Sequence, residues 1–144
     1  VLGASYLTAV VGYLGITQKL TILVTQMGLS PFMLIVILSL LYIILGALVD
    51  GFSMIVMTTP IVLPLVTAAG FDTVWFGIYL VLMIELAQIT PPVGFNLFVI
   101  SSLNNDDLFV IAKSAMPFFF HMLLTTVLIS IFPQIVMVLP NLMR

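Results

Sequence analysis

Residues 32 to 49 read FMLIVILSLLYIILGALV, eighteen positions without a single charge, and the run ends on a carboxylate, Asp50. Gly51, Phe52 and Ser53 follow, and then a second apolar stretch that carries Pro60 and Pro64. An apolar run of this length is the signature of a helix in lipid. A charge at its end is costly in that setting and marks a functional position by default. Asp50 therefore needs something to satisfy it. The breaker residues beside it offer an interrupted helix whose freed backbone carbonyls, together with the carboxylate, surround a cation. The other reading is a buried acid, protonated or hydrogen-bonded, with no ion.

The rest of the composition agrees with a bilayer. Of the 144 residues, 63% are hydrophobic and 6% charged, against about 25% charged in a soluble domain. So few charges do not cover a water-facing surface. The fold class expected is therefore an all-α integral membrane protein, because long apolar runs rather than period-2 alternation argue helices and not a β-barrel. Net charge is −2 and no basic patch occurs, which argues against nucleic acid as a partner. No cysteine is present, so thiolate chemistry is excluded. Val1 is not an initiator and its flank is no signal peptide, so the chain is expected to be a piece of a longer polypeptide.

Along the chain, residues 4 to 29 form two short apolar arms around Gly12-Tyr13-Leu14-Gly15. They read either as one long helix or as a re-entrant hairpin with its tip at those glycines, and the hairpin is the expectation adopted. Residues 32 to 68 exceed one simple span, at roughly 55 Å for 1.5 Å per residue, and are expected to be a helix interrupted near Gly46 and Asp50-Gly51. Residues 73 to 103 are expected to be a helix broken at Thr90-Pro91-Pro92-Val93-Gly94-Phe95-Asn96, because two prolines and a glycine inside apolar sequence stop a helix. The polar cluster 104 to 107 is an aqueous loop, and 114 to 138 is the expected final span. Lys113 and Arg144 flank that span on opposite sides, so the charge bias assigns no orientation.

Irregular backbone at membrane depth is tolerated where it is buried in protein or lines a cavity. Transporters use such breaks: half-helix N-termini face anionic groups and unwound carbonyls hold Na⁺. Asp50, Ser53, Thr90 and Asn96 supply side-chain oxygens at the two breaks, and Gly46, Val49, Gly51 and Gly94 supply carbonyls. Glu85 reads as structural, Lys19 as a residue that snorkels to the interface, and His121 as hydrogen-bonded between helices. Zinc hydrolysis through an H-E-x-x-H helix fails on a single histidine, and no second mid-span aspartate faces Asp50 for an aspartyl protease. No Walker-type phosphate loop occurs. A channel subunit, a structural membrane subunit and an intramembrane enzyme with further acids outside this chain stand as alternatives to a carrier.

The stretch GALVDGFSMIVMTTPIVLPLVTAAGFDTVWFGIYLVLMIELAQITPPVGFNLFVISSL resembles the large membrane subunit of TRAP transporters, the tripartite ATP-independent periplasmic carriers. The matching elements are Asp50, Pro60 with Pro64, Gly70-Phe71-Asp72, Trp75-Phe76-Gly77-Ile78, the block Thr90 to Phe98, and Ala115-Met116-Pro117-Phe118. The resemblance implies an elevator carrier of the ion-transporter superfamily, built from two inverted repeats, of which this chain is the second. It implies Na⁺-coupled uptake of a small carboxylate at a bacterial or archaeal inner membrane, with no enzymatic activity and no cofactor beyond the coupling ion. Its implied partners are a small membrane subunit and a periplasmic substrate-binding protein. It assigns Na⁺ to Asp50, with Gly46, Gly51 and Ser53, and the substrate to Thr90, Pro91, Pro92, Val93, Gly94 and Asn96.

Overall fold

The computed structural model describes residues 2–26, 28, 30–46, 48–90 and 94–143. All regular structure in them is helical: α1 (Leu2–Tyr13), α2 (Ile16–Gln26), α3 (Pro31–Gly46), α4 (Gly51–Ala68), α5 (Thr73–Gln88), α6 (Phe95–Asn104), α7 (Leu108–Ile131) and α8 (Gln134–Leu142). The sequence dictates most of the punctuation. Gly15 ends α1 in the left-handed region, at φ +61°, where a side chain is disfavoured. Asp50, Asp72 and Asp107 each cap the following helix by accepting a backbone N–H, at 3.0, 2.7 and 2.8 Å. Pro31 opens α3 from its first turn, and Pro133 stands just ahead of α8.

The core is built on α5. Trp75, Phe76, Tyr79, Met83, Ile84, Leu86 and Ala87 are all buried, and the helix packs against α3, α4, α6, α7 and α8. Aromatic side chains fix the registers. The Tyr79 hydroxyl bonds Ser39 Oγ at 2.8 Å and donates to the Ile35 carbonyl at 3.2 Å, which ties α5 to α3. Tyr42, fully buried, bonds Thr58 Oγ1 at 2.9 Å, and that hydroxyl donates in turn to the Met54 carbonyl, so α3 is tied to α4. The indole Nε1 of Trp75 donates to the Ile129 carbonyl at 2.8 Å and holds α5 to the end of α7. Each hydrogen bond of this kind contributes about 1 kcal/mol net, and leaving such a buried group unpaired costs more.

These registers overturn one expectation. Residues 32–68 are not one interrupted helix: α3 and α4 fold back on each other. Pro31 and Leu34, at the start of α3, line the same cavity as Leu65, Ala68 and Ala69 at the end of α4. The physical reason lies at the break. The Leu48 and Val49 N–H groups both return to the Leu45 carbonyl, each at 2.9 Å, closing α3 before Asp50 starts α4 afresh. α6 begins at Phe95, and α7 returns against both α5 and α6. Met83 lines one cavity with Leu123 and Thr126, while Trp75 sits at Ile129, so α7 runs opposite to α5. The last span also differs from the expected 114–138. It begins at Leu108, where Asp107 caps it, and ends at Ile131, ahead of Pro133.

Among the described residues, α4 and α7 are long and apolar enough to cross a membrane. Their outward faces carry Phe52, Met57, Phe109, Phe118, Phe120 and Leu124, all exposed. Apolar surface on this scale belongs against lipid or another protein.

Candidate functional site

Three glycines lead to the site. A methyl group on Gly46 would overlap the Ala87 side chain, one on Gly51 would overlap the Gln88 amide and come within 2.7 Å of Ile84 Cγ2, and one on Gly94 would overlap the Gln88 carbonyl oxygen. All three therefore seat their backbones against the last turn of α5. The fold-back between α3 and α4 and the break between α5 and α6 thus meet at one place, the C-terminal turn of α5, with Gln88 between them. Its side chain faces the first break and its backbone carbonyl the second.

The depth of this junction follows from the registers. Met83 lies level with Leu123 and Thr126. Five residues further along α5, about 7.5 Å at 1.5 Å per residue, Gln88 comes level with the middle of the 24-residue α7. Both breaks consequently lie near half-height of the longest span, where backbone polar groups need partners from protein rather than from lipid.

The predicted residues fall as follows. Asp50 is half-exposed, and its Oδ1 accepts the Ser53 N–H at 3.0 Å. The carboxylate is thus the N-cap of α4. Ser53 is half-buried in the first turn of α4. Gly46 and Gly51 are buried, and the role visible for each is close packing on α5. Thr90 Oγ1 donates to the Leu86 carbonyl at 2.6 Å, extending the end of α5 by one side-chain bond. Gly94 N–H returns to the Thr90 carbonyl at 3.1 Å, and the Gly94 carbonyl accepts from Phe98 N–H as α6 begins. Asn96 is half-buried in the first turn of α6. Pro91, Pro92 and Val93 lie outside the described residues.

Gln88 carried no predicted role, although it stands two residues before Thr90. It is 8% exposed, and no hydrogen bond to its side chain forms among the described residues. Its amide faces a cavity of about 240 Å³ that Gly51, Phe52 and Glu85 also line. A polar residue buried just before a breaker string inside apolar sequence was the available signal. His121 differs from expectation. It is exposed on α7, and its Nδ1 lies 2.8 Å from the Pro117 carbonyl of its own helix rather than pairing with another helix. A carbonyl one turn back is always within reach of a helical side chain, and here it is the partner.

Asp50, Ser53, Thr90 and Asn96 supply one carboxylate, two hydroxyls and a side-chain amide on the stretches that flank the two breaks, and Gln88 lies between the breaks. The donor set is oxygen-rich, and a second carboxylate, Glu85, lines the cavity beside Gln88.

The family model of the tripartite ATP-independent periplasmic transporter, DctM component, matches residues 1–135. The C4-dicarboxylate TRAP transporter large permease protein DctM of Pseudomonas aeruginosa is 32% identical over 126 residues, 88% of this chain and 30% of the relative. The sialic acid TRAP transporter permease protein SiaT of Haemophilus influenzae is 32% identical over 114 residues, 79% of this chain and 18% of the relative. The isethionate TRAP transporter permease protein DctMQ of Oleidesulfovibrio alaskensis is 34% identical over 119 residues, 81% of this chain and 19% of the relative. The chain thus spans less than a third of the length of each of these relatives, all of them named as transporter permeases. A match over most of its residues, together with helices fit to cross a membrane and a junction of broken helices between them, makes this chain a member of the DctM family of TRAP transporter large permeases.

Proposed function

We propose that this chain forms part of the moving unit of a Na⁺-coupled carrier for a small carboxylate. The complete transporter sits in a bacterial or archaeal inner membrane with a small membrane subunit and takes substrate from a periplasmic binding protein. The observation that carries this is the meeting of two helix breaks at Gln88, near half-height of α7. Breaks at that depth supply what an ion and an anion need together. Helix N-termini and amide donors attract the carboxylate, while unwound carbonyls and the Asp50 oxygen suit Na⁺. The relatives' names, with a C4-dicarboxylate, sialic acid and isethionate, support a small organic anion as cargo. The elevator step is supported by packing: α5 is gripped by five other helices, so α3 to α8 would move as one body.

In this mechanism Na⁺ binding offsets the Asp50 charge and orders the breaks around it. The substrate anion then binds where one net charge has been neutralised. Coupling requires that each ligand raise the affinity for the other by the same factor. The test is uptake by proteoliposomes holding the complete transporter and its cognate binding protein, with and without a Na⁺ gradient. Asp50→Asn is expected to abolish Na⁺-dependent uptake while the protein still assembles. Uptake by that variant at the wild-type rate and with wild-type Na⁺ dependence would refute the assignment.

A further inference from the structure

We infer that Gln88 is the positioning residue that couples the two breaks, transmitting the state of the α4 N-terminus to the start of α6 at Gly94. The inference rests on the carrier reading above and deepens it. Its basis is that one residue touches both breaks by different atoms. The side-chain amide lies so close over Gly51 that no Cβ fits there, and the backbone carbonyl lies as close to Gly94. Gly51 is the first residue of α4 after the Asp50 cap, and Gly94 carries the backbone into α6. A shift of the α4 N-terminus therefore moves the Gln88 amide, and the α5 end carries that movement to Gly94 through less than one turn of helix.

Burial makes the joint stiff. Gln88 is 8% exposed, its neighbours Leu86 and Ala87 are fully buried, and Ala87 is held in turn by Gly46. Packed interiors switch between discrete arrangements rather than deform continuously. The chemistry of the side chain adds direction. A primary amide both donates and accepts, so it pairs with a carboxylate oxygen in one state and presents its oxygen toward a cation in another. No hydrogen bond fixes it among the described residues, and its open side faces the cavity shared with Glu85 and Gly51. An apolar residue of equal size would fill the same space and lose that exchange.

The experiment uses the complete transporter in proteoliposomes with its binding protein. The Na⁺ concentration for half-maximal uptake is measured at several substrate concentrations, and substrate KM at several Na⁺ concentrations. In the wild type each should fall as the other ligand rises. Gln88→Met, which keeps the volume without the amide, is expected to raise the half-maximal Na⁺ concentration about tenfold and to make substrate KM independent of Na⁺. The melting temperature of the purified variant should match that of the wild type, which a folding defect would not spare. Gln88→Glu gives a second arm that does not depend on the first variant folding. A protonated acid restores a donor, so its uptake relative to wild type should be higher at pH 5.5 than at pH 7.5. Wild-type mutual dependence of Na⁺ and substrate in Gln88→Met overturns the role, as does a wild-type pH profile in Gln88→Glu. Wild-type uptake that ignores Na⁺ would instead overturn the carrier reading, and this inference with it.

Discussion

Gly46, Gly51 and Gly94 are conspicuous for what they exclude. Each lets the backbone approach the end of α5 closer than any side chain allows, and the penalty for enlarging them is overpacking, typically about 1–3 kcal/mol. Gly77 is a control of the same residue type, because a Cβ there meets nothing within 4 Å and the residue is mid-helix. Gly46→Val is expected to lower the melting temperature of the detergent-purified transporter. Gly77→Ala is expected to leave it unchanged or raise it, since alanine in a helix interior gains about 0.5–1 kcal/mol over glycine. Equal losses from both would show that steric closeness at Gly46 is not the reason for the glycine. Asp50, Thr90, Gly94 and Asn96 are candidates that the sequence itself offers, because charge, breaker and oxygen-bearing residues stand out against apolar surroundings. Gln88 offers a weaker signal, a polar residue just ahead of a breaker string, since its placement depends on what two distant glycines put around it.

At the scale of elements, helix identity was readable and helix direction was not. The stop at Gly46 to Asp50 and the stop at Thr90 to Gly94 follow from residue chemistry. Nothing local distinguishes a helix that resumes in line from one that turns back, and only the Tyr42–Thr58 and Pro31–Ala69 proximities reveal that α3 and α4 turn back. The paired tyrosines are testable parts of that arrangement. Tyr79→Phe removes both hydroxyl contacts to α3 at constant packing and should cost about 1 kcal/mol in the thermal or denaturant stability of the purified transporter. Thr59 points the other way. Its Oγ1 is buried without a hydrogen-bond partner among the described residues, beside Pro60. Thr59→Val keeps the shape and removes an unsatisfied hydroxyl, so stability should hold or rise by up to about 1–3 kcal/mol. A loss there would mean that the hydroxyl has a partner in the complete transporter.

For the whole molecule, composition alone established a bilayer environment, and it says nothing of mechanism. The chain spans less than a third of the length of each of these relatives, and α4, α6 and α7 carry exposed apolar surface of the kind that lipid or other protein covers. The outward stripe of α7, with Phe118, Phe120, Leu124 and Val127, is exposed, whereas α5 buries nine of its sixteen residues and leaves one stripe, through Val74, Ile78, Val81 and Glu85, exposed. This asymmetry gives the unit a hard centre and a soft rim.

The central packing of α5 has a consequence in isotope exchange. An amide hydrogen swaps with heavy water only when its hydrogen bond opens, and openings are rarest where packing is complete. The amides of Leu80 to Ala87 sit on the helix that packs against five others and buries nine of its sixteen residues, whereas α4 holds two prolines that leave carbonyls without helical donors. In the purified transporter, deuterium should enter α5 last, after α4 and well after the ends of α6 and α8. The clock of that slow uptake would then read directly how seldom the centre of the unit comes apart.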